Sequence, residues 1–184
     1  MKKVAIMLAT GFEEIEAVTV IDVLRRSEVQ VMVVSVTGRL EVTGSHHIRV
    51  MADLLFEDAG FSDVDMMVLP GGMPGAVNLD SHEGLRQRIL AFFNEGKFLA
   101  AICAGPMVYG NLGILENRNA TCYPGFAKYL RNARIKDERV VEDQQFITAN
   151  GPGSAMAFSL RLVAKLSGDE TADLTGRKML VPGI

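Results

Sequence analysis

The chain has 184 residues, of which 48% are hydrophobic and 22% charged, and its formal net charge is -3. This length and composition predict one globular domain that spans residues 1–184. The negative charge, the absence of tryptophan and the scarcity of tyrosine argue against a nucleic-acid partner, because such proteins use basic surfaces and stacked aromatic rings. The first apolar run, Val4–Ala9, is too short for a signal peptide or a membrane span, so we expect a cytoplasmic protein without a membrane partner.

Strand-like and helix-like segments alternate along the chain, and several of the strand-like runs are continuously apolar, as in strands covered on both faces. The predicted strands are Val4–Leu8, Gln30–Val36, Leu40–Thr43, His47–Met51, Asp65–Leu69, Lys97–Cys103, Val140–Glu142 and Gln145–Thr148. The predicted helices are Glu14–Arg26, a helix from a capping box at Asp80 and Glu83 to about Asn94, Gly105–Leu112, and a last helix from Gly151 through Leu166. The alternation predicts an α/β fold, doubly wound, with a mostly parallel sheet and helices on both faces.

Two features of the first helix bear on function. Ile15, Val18, Ile21, Val23 and Leu24 are spaced to form one apolar stripe. Glu13 and Glu14 are expected to be solvated acids of a first helical turn, whereas Glu16 is placed so that it could face inward.

Function in such a sheet sits at the carboxyl ends of the strands, and Cys103 lies at one of them. An apolar strand runs directly into a helix there, with Ala101 two residues before the cysteine and Gly105 two residues after it, as a nucleophile elbow requires. The helix N-terminus would lower the pKa of this thiol. The alternative is a buried structural cysteine, and for Cys122 a small core or surface residue is the preferred interpretation.

Histidine-dependent chemistry and metal binding have little support. His46, His47 and His82 all precede Cys103, so the Cys-then-His order of many cysteine amidohydrolases is impossible within this chain. Adjacent residues on a strand point to opposite faces, so His46 and His47 do not predict a metal pair. No Cys-x-x-Cys pair or zinc-type spacing occurs either, and we predict no metal and no cofactor.

Four motifs occur in the order seen in the ThiJ/PfpI superfamily, and they cover essentially the whole chain. They are Gly-Phe-Glu-Glu-Ile-Glu (11–16), Leu-Pro-Gly-Gly (69–72), Ala-Ala-Ile-Cys-Ala-Gly-Pro (100–106) and Asn-Gly-Pro-Gly (150–153). The chain most resembles the branch that contains the parkinsonism-associated protein deglycase. The resemblance implies a flavodoxin-like fold and a homodimer.

The same resemblance implies roles for individual residues. Cys103 matches the nucleophile, and Glu16 matches an acid whose protonated carboxyl group hydrogen-bonds the thiolate. The family's backbone donors, which face a substrate or an oxidised sulfur, match Gly71, Gly72 and Ala104. Many members carry a histidine where this chain has Tyr123. Tyr123 and the neighbouring Pro124 are expected to line the substrate pocket.

The resemblance also implies the activity: a glyoxalase or deglycase without a cofactor, acting on a small α-oxoaldehyde or on a glycated protein. One alternative is an oxidative-stress sensor or chaperone that uses the same cysteine without turnover. A vestigial pocket is a third possibility, and a protease or amidase is the least favoured.

Overall fold

The computed structural model describes residues 1–183, so the last residue of the predicted domain lies outside the described residues. The strands are β1 (Lys3–Leu8), β2 (Gln30–Ser35), β3 (Glu41–Thr43), β4 (Arg49–Met51), β5 (Leu54–Leu55), β6 (Met66–Leu69), β7 (Phe98–Ile102), β8 (Asn119–Ala120), β9 (Arg134–Ile135), β10 (Val140–Asp143) and β11 (Phe146–Ala149). The helices are α1 (Glu14–Arg26), α2 (Gly75–Ser81), α3 (Glu83–Asn94), α4 (Pro106–Asn111), α5 (Ala155–Ser167) and α6 (Asp169–Lys178).

The central sheet has seven strands in the order β10-β11-β7-β6-β1-β2-β5. Every neighbouring pair is parallel except β10 and β11, which form an antiparallel hairpin at one edge. Helix α5 packs against α1 and α6, whereas α2 packs against α3 and α4. The predicted doubly wound α/β fold with a mostly parallel sheet is therefore confirmed.

The middle of the sheet is the core of the protein. Val4–Leu8 in β1 and Leu99–Ile102 in β7 are fully buried, as are the side chains of β6. The sequences of these strands are continuously apolar because helices cover both faces of a parallel sheet, so neither face is exposed to solvent. Their carboxyl ends meet at one edge of the sheet, which brings residues 11–16, 70–72 and 103–105 together.

The helix predicted from a capping box at Asp80 is two helices instead. Helix α2 ends at Ser81, and α3 begins at Glu83 with His82 as its N-cap, where Nδ1 accepts a hydrogen bond from Leu85 N at 3.0 Å. The Asp80 carboxylate is engaged by Arg86 and Asn111, so it is not free to cap a helix. More than one side chain in this segment is spaced so that it could cap a helix N-terminus. Tertiary contacts decide which of these side chains forms the cap.

Other boundaries also differ from the prediction. The strand predicted over His47–Met51 begins at Arg49, since His47 has a φ of 66° and belongs to the turn before it. The last predicted helix begins at Ala155 after a 3-10 turn, and the further helix α6 follows it. The short strands β5, β8 and β9 were not predicted, because two-residue strands leave no periodicity in the sequence. Among residues 1–183, none of the helices is long and apolar enough to cross a membrane.

The apolar stripe predicted for α1 is partly wrong. Ile21, Val23 and Leu24 are buried, but Ile15 is 58% exposed and Val18 is 45% exposed. The buried face of α1 instead starts at Glu14 and Glu16 and continues through Ala17 and Val20. The first turn of the helix thus turns acidic side chains inward.

Glu13 and Glu14 are both buried rather than solvated as predicted. Glu14 fastens the β3–β4 hairpin to α1. Its carboxylate accepts hydrogen bonds from His46 N at 2.7 Å, His46 Nδ1 at 2.8 Å and Ser45 Oγ at 3.2 Å. Burial alone would raise the pKa of Glu14, but the hydrogen bonds from the His46 side chain and main chain lower it from 4.5 to about 2.

The lowered pKa of Glu14 predicts an acid-sensitive hairpin. The contribution of Glu14 to stability is complete above its unfolded pKa of 4.5 and is lost as the pH falls through about 2. We expect Glu14→Gln to lose less stability than the wild type between pH 5 and pH 2, measured by urea unfolding. The exposed Glu57→Gln is the matched control. Parallel losses in the wild type and in Glu14→Gln would contradict this role.

Candidate active site

Cys103 is held in an unusual backbone conformation directly after β7. Its φ is 63°, in the left-handed region that non-glycine residues rarely adopt. Two main-chain hydrogen bonds hold it, because Cys103 N donates to Ala149 O at 2.8 Å and Cys103 O accepts from Tyr123 N at 2.9 Å. Helix α4 starts three residues later at Pro106. This strand–turn–helix geometry is that of a nucleophile elbow.

Glycines beside the elbow allow the close approach of backbone segments. A Cβ atom at Gly105 would lie 2.6 Å from Leu69 O. A Cβ atom at Gly71 would lie 2.7 Å from the Cβ of Cys103 and 2.8 Å from Glu16 Oε2. All three distances are shorter than real contacts permit, so these two positions require glycine as long as the site keeps this shape.

Glu16 is completely buried next to this turn, as the sequence suggested. Its main-chain N–H donates to the N-capping carboxylate of Glu13 at 2.8 Å, which fixes the first turn of α1. Its Oε2 accepts a hydrogen bond from Gly71 N at 2.7 Å. Its Oε1 is buried without a hydrogen-bond partner among residues 1–183. Burying this oxygen without a partner costs free energy when Glu16 is a carboxylate. When Glu16 is protonated, the O–H group can donate a hydrogen bond.

The surroundings of Glu16 favour its neutral form. Burial raises the pKa of Glu16 from 4.5 to about 7, although hydrogen bonds from Gly71 and from the Cys103 side chain oppose the rise. The negative charge of Glu13 adds to the increase. Glu16 therefore has the pKa of a group that can both give and take a proton near neutral pH.

The expected lowering of the Cys103 pKa is wrong in net direction. Burial raises the pKa of the thiol above its ordinary range, and the charge and hydrogen bond of Glu16 raise it further. The main-chain N–H groups of Ala104 and Gly72 lower the pKa of Cys103, as predicted. Their effect and that of the short, six-residue helix α4 do not outweigh the effect of burial. Because the two acids oppose each other's ionisation, a thiolate at Cys103 requires that Glu16 holds the proton.

The three backbone N–H groups predicted as oxyanion donors do not all bind the same acceptor. The N–H groups of Gly72 and Ala104 interact with Cys103, where a developing negative charge would need them. The Gly71 N–H is already donated to Glu16, so the predicted role of Gly71 as an oxyanion donor does not fit this geometry. Gly71 instead positions the carboxyl group beside the thiol.

The side chains of Tyr123 and Pro124 are exposed, although the main-chain N–H of Tyr123 donates to Cys103 O. The Tyr123 ring lies against Gly151, where a Cβ atom would be 3.3 Å from Cδ2, and its centroid is 6.4 Å from that of Phe126. The motif 150–153, where the sequence predicts the start of the last helix, instead places Gly151 beside this ring and forms a 3-10 turn from Pro152.

The histidines and the second cysteine have other surroundings. His46 contacts Glu14, and His82 caps α3. Glu13, Glu14 and His46 place three potential metal-ligand atoms within 4.8 Å of one another, but Glu14 and His46 are hydrogen-bonded and Glu13 caps α1. Cys122 is buried, and burial raises its pKa to about 11. Its pKa shift has no contribution from backbone N–H groups, unlike that of Cys103.

Comparisons with known proteins agree on one family. The sequence model of the DJ-1/PfpI family matches residues 2–165. Protein DJ-1 homolog B of Arabidopsis thaliana is 40% identical over 184 residues, which are 98% of this chain and 42% of that protein. A protein of Pyrococcus abyssi named as a deglycase is 34% identical, with coverage of 89% of this chain and 99% of that one. The chain thus spans less than half of the Arabidopsis relative, but nearly all of the archaeal one.

The solved structure of oxidized DJ-1 from Toxoplasma gondii has the same fold. Its TM-score is 0.95 at 34% sequence identity, and the alignment covers 99% of this chain and 100% of that chain. The expected domain limits, homodimer and cytoplasmic location stay predictions.

The raised pKa of Glu16 predicts a stability difference that grows with pH. A carboxyl group with a raised folded-state pKa contributes stability below its unfolded pKa of 4.5, and this is lost as the pH rises through about 7. The change from 4.5 to about 7 corresponds to about 3 kcal/mol. We expect the wild type to lose roughly this much more stability than Glu16→Gln between pH 4 and pH 8, measured by urea unfolding. Equal losses would show that Glu16 is ionised throughout this range.

Proposed function

We propose that this chain, which belongs to the DJ-1/PfpI family, is a cysteine-dependent glyoxalase or deglycase acting on small α-oxoaldehydes or their adducts. The proposal depends above all on one observation, a fully buried Glu16 whose pKa is raised to about 7 beside the strained Cys103. The 34% identical relative named as a deglycase supports the same class of activity.

The first step of the proposed reaction forms a covalent bond at Cys103. Glu16 accepts the thiol proton, and the thiolate adds to the aldehyde carbon of the substrate. The former carbonyl oxygen becomes an oxyanion within reach of the Gly72 and Ala104 N–H groups. Glu16 passes the thiol proton on to this oxygen, which gives a hemithioacetal and returns Glu16 to its carboxylate form. Glu16 is placed to accept the thiol proton because its side chain is hydrogen-bonded with that of Cys103.

The second step moves a proton between two carbons. Glu16 removes the proton from the carbon bound to sulfur and returns it to the adjacent carbonyl carbon, while the hydroxyl proton passes to the former carbonyl oxygen. These transfers convert the hemithioacetal into a thioester of a 2-hydroxy acid. Water then breaks the carbon–sulfur bond, releasing the 2-hydroxy acid and restoring the thiol. A base with a pKa near 7 suits this transfer at neutral pH, and no histidine is required.

Methylglyoxal turnover tests this proposal. We expect the wild type to convert methylglyoxal to lactate and Cys103→Ser to form none. Glu16→Gln should lower the rate by about a hundredfold to ten-thousandfold, which is the usual contribution of a general acid–base. Glu57→Gln, an exposed exchange of the same kind, should keep the wild-type rate. Lactate formation that persists in Cys103→Ser would refute the mechanism.

A second candidate function uses the same cysteine as an oxidation sensor. Cys103 is 8% exposed and has the Gly72 and Ala104 N–H groups beside it, which would stabilise a negatively charged sulfinate. The Toxoplasma relative of known structure was solved in an oxidized form. This function needs no turnover of an aldehyde.

Mild peroxide treatment followed by mass spectrometry tests the sensor. Cys122 is an internal control, because it is also buried but its pKa reflects burial alone. We expect sulfinic acid at Cys103 before any oxidation of Cys122, and a slower reaction in Glu16→Gln. Equal oxidation of the two cysteines would remove the support for sensing.

A further inference from the structure

A groove of about 770 Å³ lies beside strand β10, at one edge of the central sheet. Its lining comes from β10 and the residues just before it, from α5 and from the first turns of α6. Val140, Leu160, Ala164 and Ala172 give the groove apolar surface. Its volume lies within the range of ligand sites in proteins. The groove therefore offers a binding surface on elements other than those that hold Cys103 and Glu16.

Strand β10 has an unpaired edge next to this groove. It is the outermost strand of the sheet, and β11 is its only partner strand among residues 1–183. Asn150 N donates to Arg139 O at 3.1 Å, so residues 139 and 150 form a hydrogen-bonded pair. Such pairs alternate along an antiparallel ladder, which directs the N–H and C=O groups of Val140 and Glu142 away from β11. Within residues 1–183 these groups form no main-chain hydrogen bond, and an edge of this kind is a template for an added strand.

The groove also has an excess of negative charge. Its two arginines are engaged, because Arg161 Nε lies 3.1 Å from Glu142 Oε2 and Arg139 donates to Gly153 O at 2.6 Å. Lys165 forms a second ion pair with Glu142. Three other carboxylates of the lining are exposed, and they form no ion pair or side-chain hydrogen bond within the described residues 1–183: Glu138, Asp169 and Asp173. The free charges of the groove are therefore negative, which favours a basic ligand.

An extended basic segment of a partner protein matches both features. Its main chain can pair with the edge of β10, while alternate lysine side chains place their aliphatic stems on the apolar surface and their ammonium groups near the carboxylates. A second copy of this chain fits less well. Pairing two β10 edges would bring Glu138, Glu142 and Asp143 of one copy close to the same acidic residues of the other, and like charges on paired strands are destabilising.

We propose that β10 and this groove bind an extended segment of a partner protein, rich in lysine or arginine, as an added edge strand. The basic side chains of that segment face Glu138, Asp169 and Asp173. Binding requires no reaction at Cys103, so this surface works whether or not the protein converts an aldehyde.

Binding of a model peptide tests the proposal. The probe is the blocked peptide Lys-Thr-Lys-Thr-Lys-Thr-Lys, and the control of equal composition is Lys-Lys-Thr-Thr-Lys-Lys-Thr, which lacks the alternation of a strand. We expect the alternating peptide to bind more tightly in isothermal titration calorimetry. Because the N–H groups of only one set of alternate residues face β10, N-methylation of that set should weaken binding by roughly tenfold or more, and N-methylation of the other set should not. Equal binding of the two N-methylated peptides would mean charge attraction without strand pairing and would overturn the proposal.

Protein variants and amide exchange locate the peptide. We expect Glu138→Gln combined with Asp173→Asn to weaken binding by roughly fivefold, since two exposed ion pairs are lost. The control, Glu57→Gln combined with Asp58→Asn, makes the same change of charge at exposed positions elsewhere and should keep the wild-type affinity.

The peptide should also slow hydrogen exchange at the amides of Val140 and Glu142, measured by NMR. Equal weakening of binding in the two double variants, or unchanged exchange at these two amides, would contradict the proposed surface. Slow exchange at both amides in the protein without peptide would indicate a second copy as the occupant, and this too would overturn the proposal.

Discussion

The hydrogen bond from Gly71 N to Glu16 Oε2, 2.7 Å long, is the contact on which the arrangement of the site depends. It joins the end of β6 to the first turn of α1 and places a carboxyl group beside the thiol at the end of β7. One oxygen of the carboxyl group is thereby satisfied, and the other is buried without a hydrogen-bond partner among residues 1–183. The favourable state is thus a neutral Glu16, since its proton removes the buried charge.

The close packing around this contact has consequences for the backbone. Gly71 and Gly105 admit no side chain, and Cys103 is held at a positive φ by hydrogen bonds from two different segments. The fully buried strands β1, β6 and β7 hold these segments in register, so local strain at Cys103 is balanced by the core of the sheet. The reactive pair is therefore a property of the whole parallel sheet and not of one loop.

The sequence predicted the central strands because their apolar runs are long and uninterrupted, and it predicted Glu16, Gly72 and Ala104 near Cys103 from motif order. It did not predict that Gly71 serves Glu16, because the recipient of an N–H group depends on tertiary distances. It also placed Glu14 in solvent, since a first-turn glutamate has the same sequence pattern whether it faces water or fastens a hairpin. The sequence also predicted a lowered pKa for Cys103, whereas the pKa is raised. Burial of the thiol raises the pKa by more than the N-terminus of a six-residue helix can lower it.

We expect Glu16 to keep its proton close to neutral pH and to share the site with a Cys103 thiolate only in that state. Infrared difference spectroscopy across a pH titration, with Glu16→Gln as the reference, measures the neutral carboxyl band of this one residue. We expect this band to disappear with a midpoint near pH 7. A band that disappears near pH 4.5, the ordinary value for glutamate, would contradict it.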